Sequence, residues 1–304
     1  MTVAPIMVGV DFGGTKIEAA ALDMTGAPIV RKRLPTPGDY DSALGAVRDL
    51  VRAIENETIE VDRLGIGAPG SISPKTGSLR NSNTIYLNGK PFAQDLERVL
   101  GKRVRLSNDA NCLALSEAVD GAAAGAHSVF AVILGTGCGG GLVIDGKLIH
   151  GANGIAGEWG HNPLPWPSTE ELKQAPRCWC GQQGCQETWI SGSGLQRDFF
   201  EAAGVRATGK EIVAAFRRGE PLAVAALERY IDRLARSLAA VVNLIDPDAI
   251  VLGGGMANID ELYDRLPSLI RRHVFSDAWI TRISKARWGD SSGVRGAARL
   301  WAND

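Results

Sequence analysis

The stretch IMVGVDFGGTKIEAAALDMTGAPI, residues 6–29, predicts how the first part of the chain folds. An apolar run rich in β-forming residues leads into a Gly-Gly turn, and a second strand follows as far as a turn at residues 23–28. The stretch VFAVILGTGCGGGLVIDGKLI, residues 129–149, repeats this order of strand, glycine turn and strand. Two such hairpins in separate parts of the chain indicate an internal duplication, although their identity is low.

A third glycine-bearing element and one clear helix follow. AIVLGGGM, residues 249–256, is a short buried strand that runs into three glycines, and helical periodicity predicts a helix over residues 222–244. The side chains that share the apolar face of this helix are Leu227, Ile231, Leu234, Leu238 and Val241. The Ala/Gly-rich residues 118–127 predict a domain boundary. We therefore expect an α/β protein with mixed sheets and two domains, residues 1–122 and 123–289.

Composition narrows the classes of function. A net charge of −1 gives no basic field for nucleic acid and no charged block for a membrane surface. The first ten residues carry no Lys or Arg before the apolar stretch, so no secretory signal is expected. Five cysteines, an odd number, favour reduced thiols and a cytoplasmic location over a disulfide framework.

The glycine turns are candidates for a phosphate site, because backbone N–H groups can approach an anion closely only where no Cβ intervenes. The residues concerned are Gly13, Gly14 and Thr15, then Gly135, Thr136 and Gly137, then Gly253, Gly254 and Gly255. Asp11 ends the first strand, where a carboxylate can hold Mg²⁺ through water, and Lys16 is a candidate charge partner. The alternative is that each is only a tight turn. Neither the G-x-G-x-x-G nor the Walker A pattern occurs, which leaves a strand–turn–strand phosphate clamp.

One carboxylate stands between the two halves of the chain. In RVRLSNDANCLALSEA, residues 103–118, a strand passes into an Ala/Leu-rich helix at Asn108 and Asp109. Asp109 is a candidate general base for an alcohol that attacks a γ-phosphoryl group. The alternative is that Asp109 only caps the helix.

A second polar group is GIAGEWGHNPLPW, residues 154–166, with Glu158 and His161. Acidic side chains beside an aromatic, here Trp159, are typical of a site for a small polar ligand such as a sugar. Glu158 and His161 also fit a purely structural loop. CWCGQQGCQE, residues 178–187, has the spacing C-x-C-x4-C, which fits a disulfide knot, a redox centre or a metal site that lacks one ligand.

Together these motifs resemble the ROK family of sugar kinases. DFGGTK, SNDANCLALSEA, LGTGCGGG, GEWGH, CWCGQQGCQE and IVLGGG occur in that family's order and spacing, over essentially the whole chain. The resemblance implies an actin/hexokinase-like (ribonuclease H-like) ATPase fold with two domains around a cleft. It also implies that a C-terminal helix at residues 290–304 packs back on the first domain. A homodimer is what the family suggests.

Site residues follow from the resemblance. It assigns ATP binding to Asp11, Gly13, Gly14, Thr15, Lys16, residues 135–141 including Gly139, and Gly253–Gly255, with Mg²⁺ at the phosphates. Asp109 becomes the catalytic base, and the sugar contacts become Asn83, Asn108, Asp109, Glu158, His161 and Glu187. The implied metal site is a structural zinc ion held by His161, Cys178, Cys180 and Cys185, with four protein ligands and no open position. Such a site places His161 and Glu187 beside the sugar.

The substrate is expected to be a hexose phosphorylated on its 6-hydroxyl. GAPGSISPKTG, GEWGHNPLPW and GDSSGVRGAA resemble bacterial fructokinases with mannose side activity. N-acetylglucosamine kinases and glucose kinases are the alternative, although a Phe in place of Trp159 would then be expected. Two rivals come from other classes. A sugar-responsive regulator would need a DNA-binding domain ahead of the first strand, and an actin-like ATPase would need no sugar pocket.

Overall fold

The structure is a computed structural model that describes residues 5–302 of the 304. Within this range the chain forms two compact units. Unit 1 contains residues 5–125, 141–156 and 287–302, and unit 2 contains residues 126–140 and 157–286. The predicted ranges 1–122 and 123–289 differ from these units mainly at residues 141–156. The ends of the predicted ranges, residues 1–4 and 303–304, lie outside the described residues.

The elements are numbered in chain order. The strands are β1 (Ile6–Phe12), β2 (Lys16–Asp23), β3 (Pro28–Pro35), β4 (Arg63–Ala68), β5 (Ser71–Ile72), β6 (Leu79–Arg80), β7 (Arg103–Asn108), β8 (Ser128–Leu134), β9 (Cys138–Ile144), β10 (Lys147–Leu148), β11 (Ala249–Gly253) and β12 (Arg282–Lys285). The helices are α1 (Tyr40–Glu55), α2 (Phe92–Leu100), α3 (Asp109–Val119), α4 (Thr169–Lys173), α5 (Glu187–Ile190), α6 (Gly192–Ala203), α7 (Gly209–Arg217), α8 (Pro221–Ile245), α9 (Glu261–Ile270) and α10 (Ser292–Ala298). None of these described helices is both long enough and apolar enough to cross a membrane.

The first sheet has the strand order β3-β2-β1-β4-β7. β1 and β2 pair as an antiparallel hairpin, as predicted, whereas β1, β4 and β7 run parallel. The carboxyl ends of these three strands therefore lie at one edge of the sheet. Asp11 pairs with Gly67 of β4, and the next residue of β4 pairs with Asn108 of β7. This register brings Asp11, Asn108 and the adjacent Asp109 to the same edge.

The second sheet has the order β10-β9-β8-β11-β12, and β5 and β6 form a separate pair. β11 runs parallel to β8, with Gly253 opposite Ile133. Two of the glycine turns thus follow the carboxyl ends of adjacent strands. The predicted helix at residues 222–244 is confirmed as α8, because the apolar stripe read from its sequence is buried.

The end of the chain packs into unit 1, as expected for the predicted segment 290–304. It forms α10 and then a 3₁₀ turn, and α10 approaches β1 and β4 where glycines leave room for its backbone. No side chain caps α10. The Ser292 hydroxyl instead donates to the buried Glu117 carboxylate at 2.9 Å, which also accepts the Arg287 N–H at 2.9 Å. Glu117 therefore fixes the last segment to the end of α3.

Candidate functional site

The glycine turn between β1 and β2 presents its tip to solvent. The Gly13 N–H donates to Lys16 O at 3.0 Å, and Thr36 bonds the turn twice, to Gly13 O at 2.6 Å and to Thr15 O at 3.1 Å. Gly14 and Thr15 are exposed. Thr36, which sequence patterns did not indicate, holds the base of the turn and leaves its tip accessible to a ligand.

Asp11 is a half-buried carboxylate in a crowded position. A Cβ on Gly293 would lie 2.7 Å from its Oδ2 atom, so only a glycine leaves room for the carboxylate. Burial raises the pKa of Asp11 to about 7, and the carboxylates of Asp109 and Glu18 add to the effect. Lys16 opposes it, but Lys16 also lies 4.0 Å from Glu18 and 3.8 Å from Asp290. Asp11 is thus a carboxylate that a cation can readily keep ionised.

Asp109 is the first residue of α3, and the helix cap is a different residue. The Asn108 Oδ1 atom accepts the N–H groups of Ala110 at 2.7 Å and Asn111 at 3.2 Å. The alternative that Asp109 only caps the helix is therefore wrong. Burial raises the pKa of Asp109, while the Ala110 N–H, 2.8 Å from Oδ1, lowers it. A half-buried carboxyl with a raised pKa at the end of a parallel strand suits proton transfer.

Asn83 lies beside the first glycine turn. It is exposed, and its Oδ1 atom accepts from the Thr84 hydroxyl at 3.5 Å. The same hydroxyl is the nearest atom to a Cβ built on Gly14, at 4.0 Å. Unit 1 therefore brings together all the residues that were predicted for it: the turn at residues 13–16 with Asp11, Asn83, Asn108 and Asp109.

In unit 2 the second and third glycine turns converge. The Gly135 N–H donates to Gly137 O at 3.0 Å, and Gly135 O accepts the Gly192 N–H at 2.7 Å. Gly254 has a φ of +82°, and a Cβ there would lie 2.5 Å from Leu134 O. A Cβ on Gly192 would lie 3.4 Å from Met256 Sδ. The start of α6, which was not predicted from the sequence, thus joins the two turns.

The loop that carries Glu158 and His161 is partly core. Trp159 is 6% exposed, its ring packs edge-on against Phe130, and its Nε1 atom donates to Gly139 O at 3.2 Å. The interpretation of Trp159 as the wall of a ligand pocket is therefore corrected, since its ring fills the interior of unit 2. Glu158 and His161 are half-buried on either side of it.

His161 and the three cysteines of the loop 178–185 form one cluster. The ligand atoms of His161, Cys178, Cys180 and Cys185 all lie within 4.8 Å of one another. His161 Nδ1 is 3.5 Å from Cys178 Sγ, and Cys180 Sγ is 3.6 Å from Cys185 Sγ. Bonds of about 2.0–2.3 Å to a tetrahedral zinc ion place its ligand atoms about 3.6–3.8 Å apart, so the cluster fits zinc, whereas a disulfide needs about 2.05 Å.

Glu187 begins α5 and accepts two hydrogen bonds. Its Oε2 atom accepts the Cys138 N–H at 2.9 Å, directly after the second glycine turn. Its Oε1 atom accepts the Trp179 Nε1–H at 2.7 Å, from within the cysteine loop. Sequence patterns did not indicate a role for Trp179. The sequence shows that an aromatic residue stands between two cysteines, but it does not show that the indole contacts Glu187.

Comparisons with known proteins show the family of the chain. The family model described as the ROK family matches residues 7–304. The chain is 42% identical over 300 residues to a protein of Pectobacterium atrosepticum named N-acetyl-D-glucosamine kinase, covering 97% of this chain and 99% of that one. It resembles the crystal structure of a ROK hexokinase from Thermus thermophilus, with a TM-score of 0.87, 32% identity and 97% of each chain covered.

A third similar protein is a ROK family glucokinase from Streptomyces griseus, solved with glucose and AMPPNP. Its TM-score is 0.82 at 30% identity, with 99% of this chain and 100% of that chain covered. These matches confirm the actin/hexokinase-like α/β fold that the sequence predicted. The glycine turns, the carboxylates beyond β1 and β7 and the His/Cys cluster thus stand in a chain that belongs to the ROK family.

Proposed function

We propose that the protein is an ATP-dependent hexose kinase that phosphorylates a sugar 6-hydroxyl. The observation that carries the proposal is the edge of the first sheet, where Asp11 near the end of β1 and Asp109 directly after the parallel strand β7 lie beside an exposed glycine turn. Phosphoryl transfer needs positioned charges and one proton acceptor rather than covalent help. The Streptomyces griseus relative, which binds glucose and AMPPNP, supports this choice of substrates.

Asp109 is the proposed general base. Its carboxylate takes the proton of the 6-hydroxyl as that oxygen attacks the γ-phosphorus. A raised pKa makes the carboxylate a stronger base, and the Asn108 cap keeps the first turn of α3 in place around it. The proposed phosphate donors are backbone N–H groups of the turns at residues 13–15, 135–137 and 253–255, apart from those of Gly13 and Gly135, which donate within their own turns. Asp11 is the residue that would hold Mg²⁺, and the ion would supply positive charge at the phosphates.

The proposed sugar contacts are Asn83, Asn108, Glu158, His161 and Glu187. Asn108 has its Oδ1 atom in the helix cap, so its Nδ2 amide is the group left to donate to a hydroxyl. The proposed zinc site would be structural, because His161 and the three cysteines would supply four protein ligands and leave no open position for substrate. The Nδ1 atom of His161 faces Cys178 and serves as the ligand, which leaves Nε2 as the ring atom that would face the sugar.

N-acetylglucosamine is the first candidate for the sugar. The named function of the Pectobacterium atrosepticum relative favours this alternative over the fructose preference drawn from the sequence. Fructose is the second candidate, and the stretches GEWGHNPLPW and GDSSGVRGAA favour it. The two differ at the 2-position, where N-acetylglucosamine needs room for an acetamido group. The homodimer that the family suggests stays a prediction, which analytical ultracentrifugation tests.

The experiment is ADP release by the purified chain with N-acetylglucosamine, fructose, glucose and mannose. We expect strong stimulation, with the highest kcat/KM for N-acetylglucosamine. Highest kcat/KM for fructose would support the second candidate instead. ADP release that no hexose stimulates would contradict the kinase proposal and favour an ATPase without a sugar acceptor.

A further inference from the structure

Trp179 is an exposed indole whose position core packing does not explain. It is 64% exposed, although it stands between two cysteines of the cluster. Its ring meets the His161 imidazole edge-on, with centroids 5.0 Å apart and an interplanar angle of 86°. Its Nε1–H donates to Glu187 Oε1 at 2.7 Å. The indole is therefore oriented on one side by a metal-ligating residue and on the other by a carboxylate.

The same carboxylate reaches the second glycine turn. Glu187 Oε2 accepts the Cys138 N–H at 2.9 Å, and a Cβ on Gly137 would lie 2.6 Å from that oxygen. The carboxylate thus packs directly on the turn at residues 135–138. Because each carboxylate oxygen of Glu187 accepts one N–H, a movement that breaks the bond from Trp179 also disturbs the bond from Cys138.

The charge of Glu187 makes its position important. A carboxylate beside amides that bind phosphate would repel the phosphate if it were free to turn toward it. Two fixed N–H donors stabilise the negative charge and keep it on the Cys138 side. The Cys138 donor is a backbone N–H, whereas the Trp179 donor is a side chain. The position of the Trp179 indole therefore depends on the conformation of the cysteine loop.

We propose that Trp179 is a positioning residue which, through Glu187, links the His/Cys cluster to the glycine turn at residues 135–138. The metal fixes the cysteine loop, the loop fixes the indole, and the indole holds Glu187 on the Cys138 amide. The consequence for nucleotide binding rests on the proposed kinase function, whereas the link itself does not. Loss of the metal should therefore disturb the glycine turn at residues 135–138 as well as the proposed sugar contacts.

The test is hydrogen exchange of the segment 135–140 in the full chain, followed by mass spectrometry without sugar or nucleotide. We expect Trp179→Phe, with zinc content equal to wild type, to exchange this segment at least about threefold faster, because the ring stays and the donor is lost. Trp166→Phe is the matched control, since Trp166 is a 51% exposed indole of the same unit that stacks on His273. It should leave the segment unchanged.

Chelation completes the comparison. In wild type it should accelerate exchange of the segment 135–140, and in Trp179→Phe it should add little, because two changes in one linked path are not additive. The affinity for AMPPNP should fall about fivefold in Trp179→Phe. Wild-type exchange of the segment in Trp179→Phe, or full additivity with chelation, would overturn the link.

A second variant tests the link between the cluster and the glycine turn if Trp179→Phe does not retain zinc. Glu187→Gln keeps the four metal ligands but has one side-chain acceptor, so it cannot accept both N–H groups. Faster exchange of the segment in this variant supports the link, and unchanged exchange overturns it. An exchange effect in a chain that no hexose stimulates would leave the link standing without the kinase. Hexose kinase activity without any exchange effect would remove the link alone.

Discussion

The two glycine hairpins have the same plan, yet their surroundings differ. The turn between β1 and β2 is preceded by its own carboxylate, Asp11, and has an exposed tip tethered only at its base by Thr36. The turn between β8 and β9 has no acid of its own in its strand. Its carboxylate, Glu187, comes from a distant helix start and bonds the Cys138 N–H.

This difference indicates a division of roles between the units. Unit 1 places acids at the ends of β1 and β7, and burial raises the pKa of both Asp11 and Asp109. Unit 2 contributes backbone N–H groups at residues 135–137 and 253–255, held in place by α6, by Glu187 and by the His/Cys cluster. On the proposed kinase function, unit 1 would supply the base and the cation site besides its phosphate contacts, whereas unit 2 would supply phosphate contacts.

The largest expected effect tests the acids of unit 1. Asp109→Asn keeps the size of the side chain and an oxygen for the Ala110 N–H but cannot accept the hydroxyl proton. We expect kcat to fall about 10³-fold, within the usual range for a general base. AMPPNP affinity, measured by titration calorimetry, should stay within about twofold.

Asp62→Asn is the control for this change. Asp62 is an exposed carboxylate of the same unit that pairs with Arg103 at the amino ends of β4 and β7, the opposite ends from Asp11 and Asp109. Its kcat should match wild type. A kcat for Asp109→Asn within tenfold of wild type would sink the base assignment and with it the role given to unit 1.

A matched pair of glycines tests the difference between the turns directly. A Cβ on Gly137 would lie 2.6 Å from Glu187 Oε2, whereas on Gly14 its nearest neighbour would be the Thr84 hydroxyl at 4.0 Å. Gly137→Ala must displace the carboxylate, so we expect a loss of about 1.5–3 kcal/mol in unfolding free energy, the usual value of a hydrogen bond to a charged group. Gly14→Ala should stay within about 0.5 kcal/mol.

Urea unfolding of the two alanine variants without ligand measures the difference. Equal losses would mean that Glu187 moves aside freely and that the second turn is no more constrained than the first. A loss confined to Gly14→Ala would reverse the comparison.

The sequence predicted those features that depend on local chemistry. The glycine turns can be predicted because a close approach of the backbone demands glycine. Helix α8 can be predicted because its buried apolar residues repeat at helical spacing. Asp109 was the cap candidate at the start of α3, and only the structure shows that Asn108 Oδ1 accepts the Ala110 and Asn111 N–H groups as the cap.

Features that depend on contacts distant in sequence were missed. Trp159 looked like the wall of a pocket because nothing in its neighbourhood reveals that Phe130 covers its ring. Glu117 looked like one more helix residue, although it accepts from residues 287 and 292 near the other end of the chain. The Trp179–Glu187–Cys138 contacts combine a short-range and a long-range bond, and no periodicity encodes either.

The smallest expected effect concerns the acid that distinguishes the first hairpin. Burial raises the pKa of Asp11 from an unfolded value near 3.8 to about 7, so the folded state binds this proton more tightly than the unfolded state. Wild-type stability is therefore lost as pH rises from about 4 to 7, and the loss is complete above pH 7. Asp11→Asn removes this cost. In Mg²⁺-free buffer we expect the variant to be about 1 kcal/mol more stable than wild type at pH 8, because solvent access to this half-buried group reduces the full effect. The gain should vanish near pH 4.

Asp62→Asn is the opposite control, since the hydrogen bond from Arg103 lowers the pKa of Asp62 and its loss can only remove stability at neutral pH. A gain for Asp11→Asn that does not change between pH 4 and pH 8 would show that Asp11 is no more strained by burial than an ordinary surface acid, and the contrast between the two hairpins would then rest on Glu187 alone.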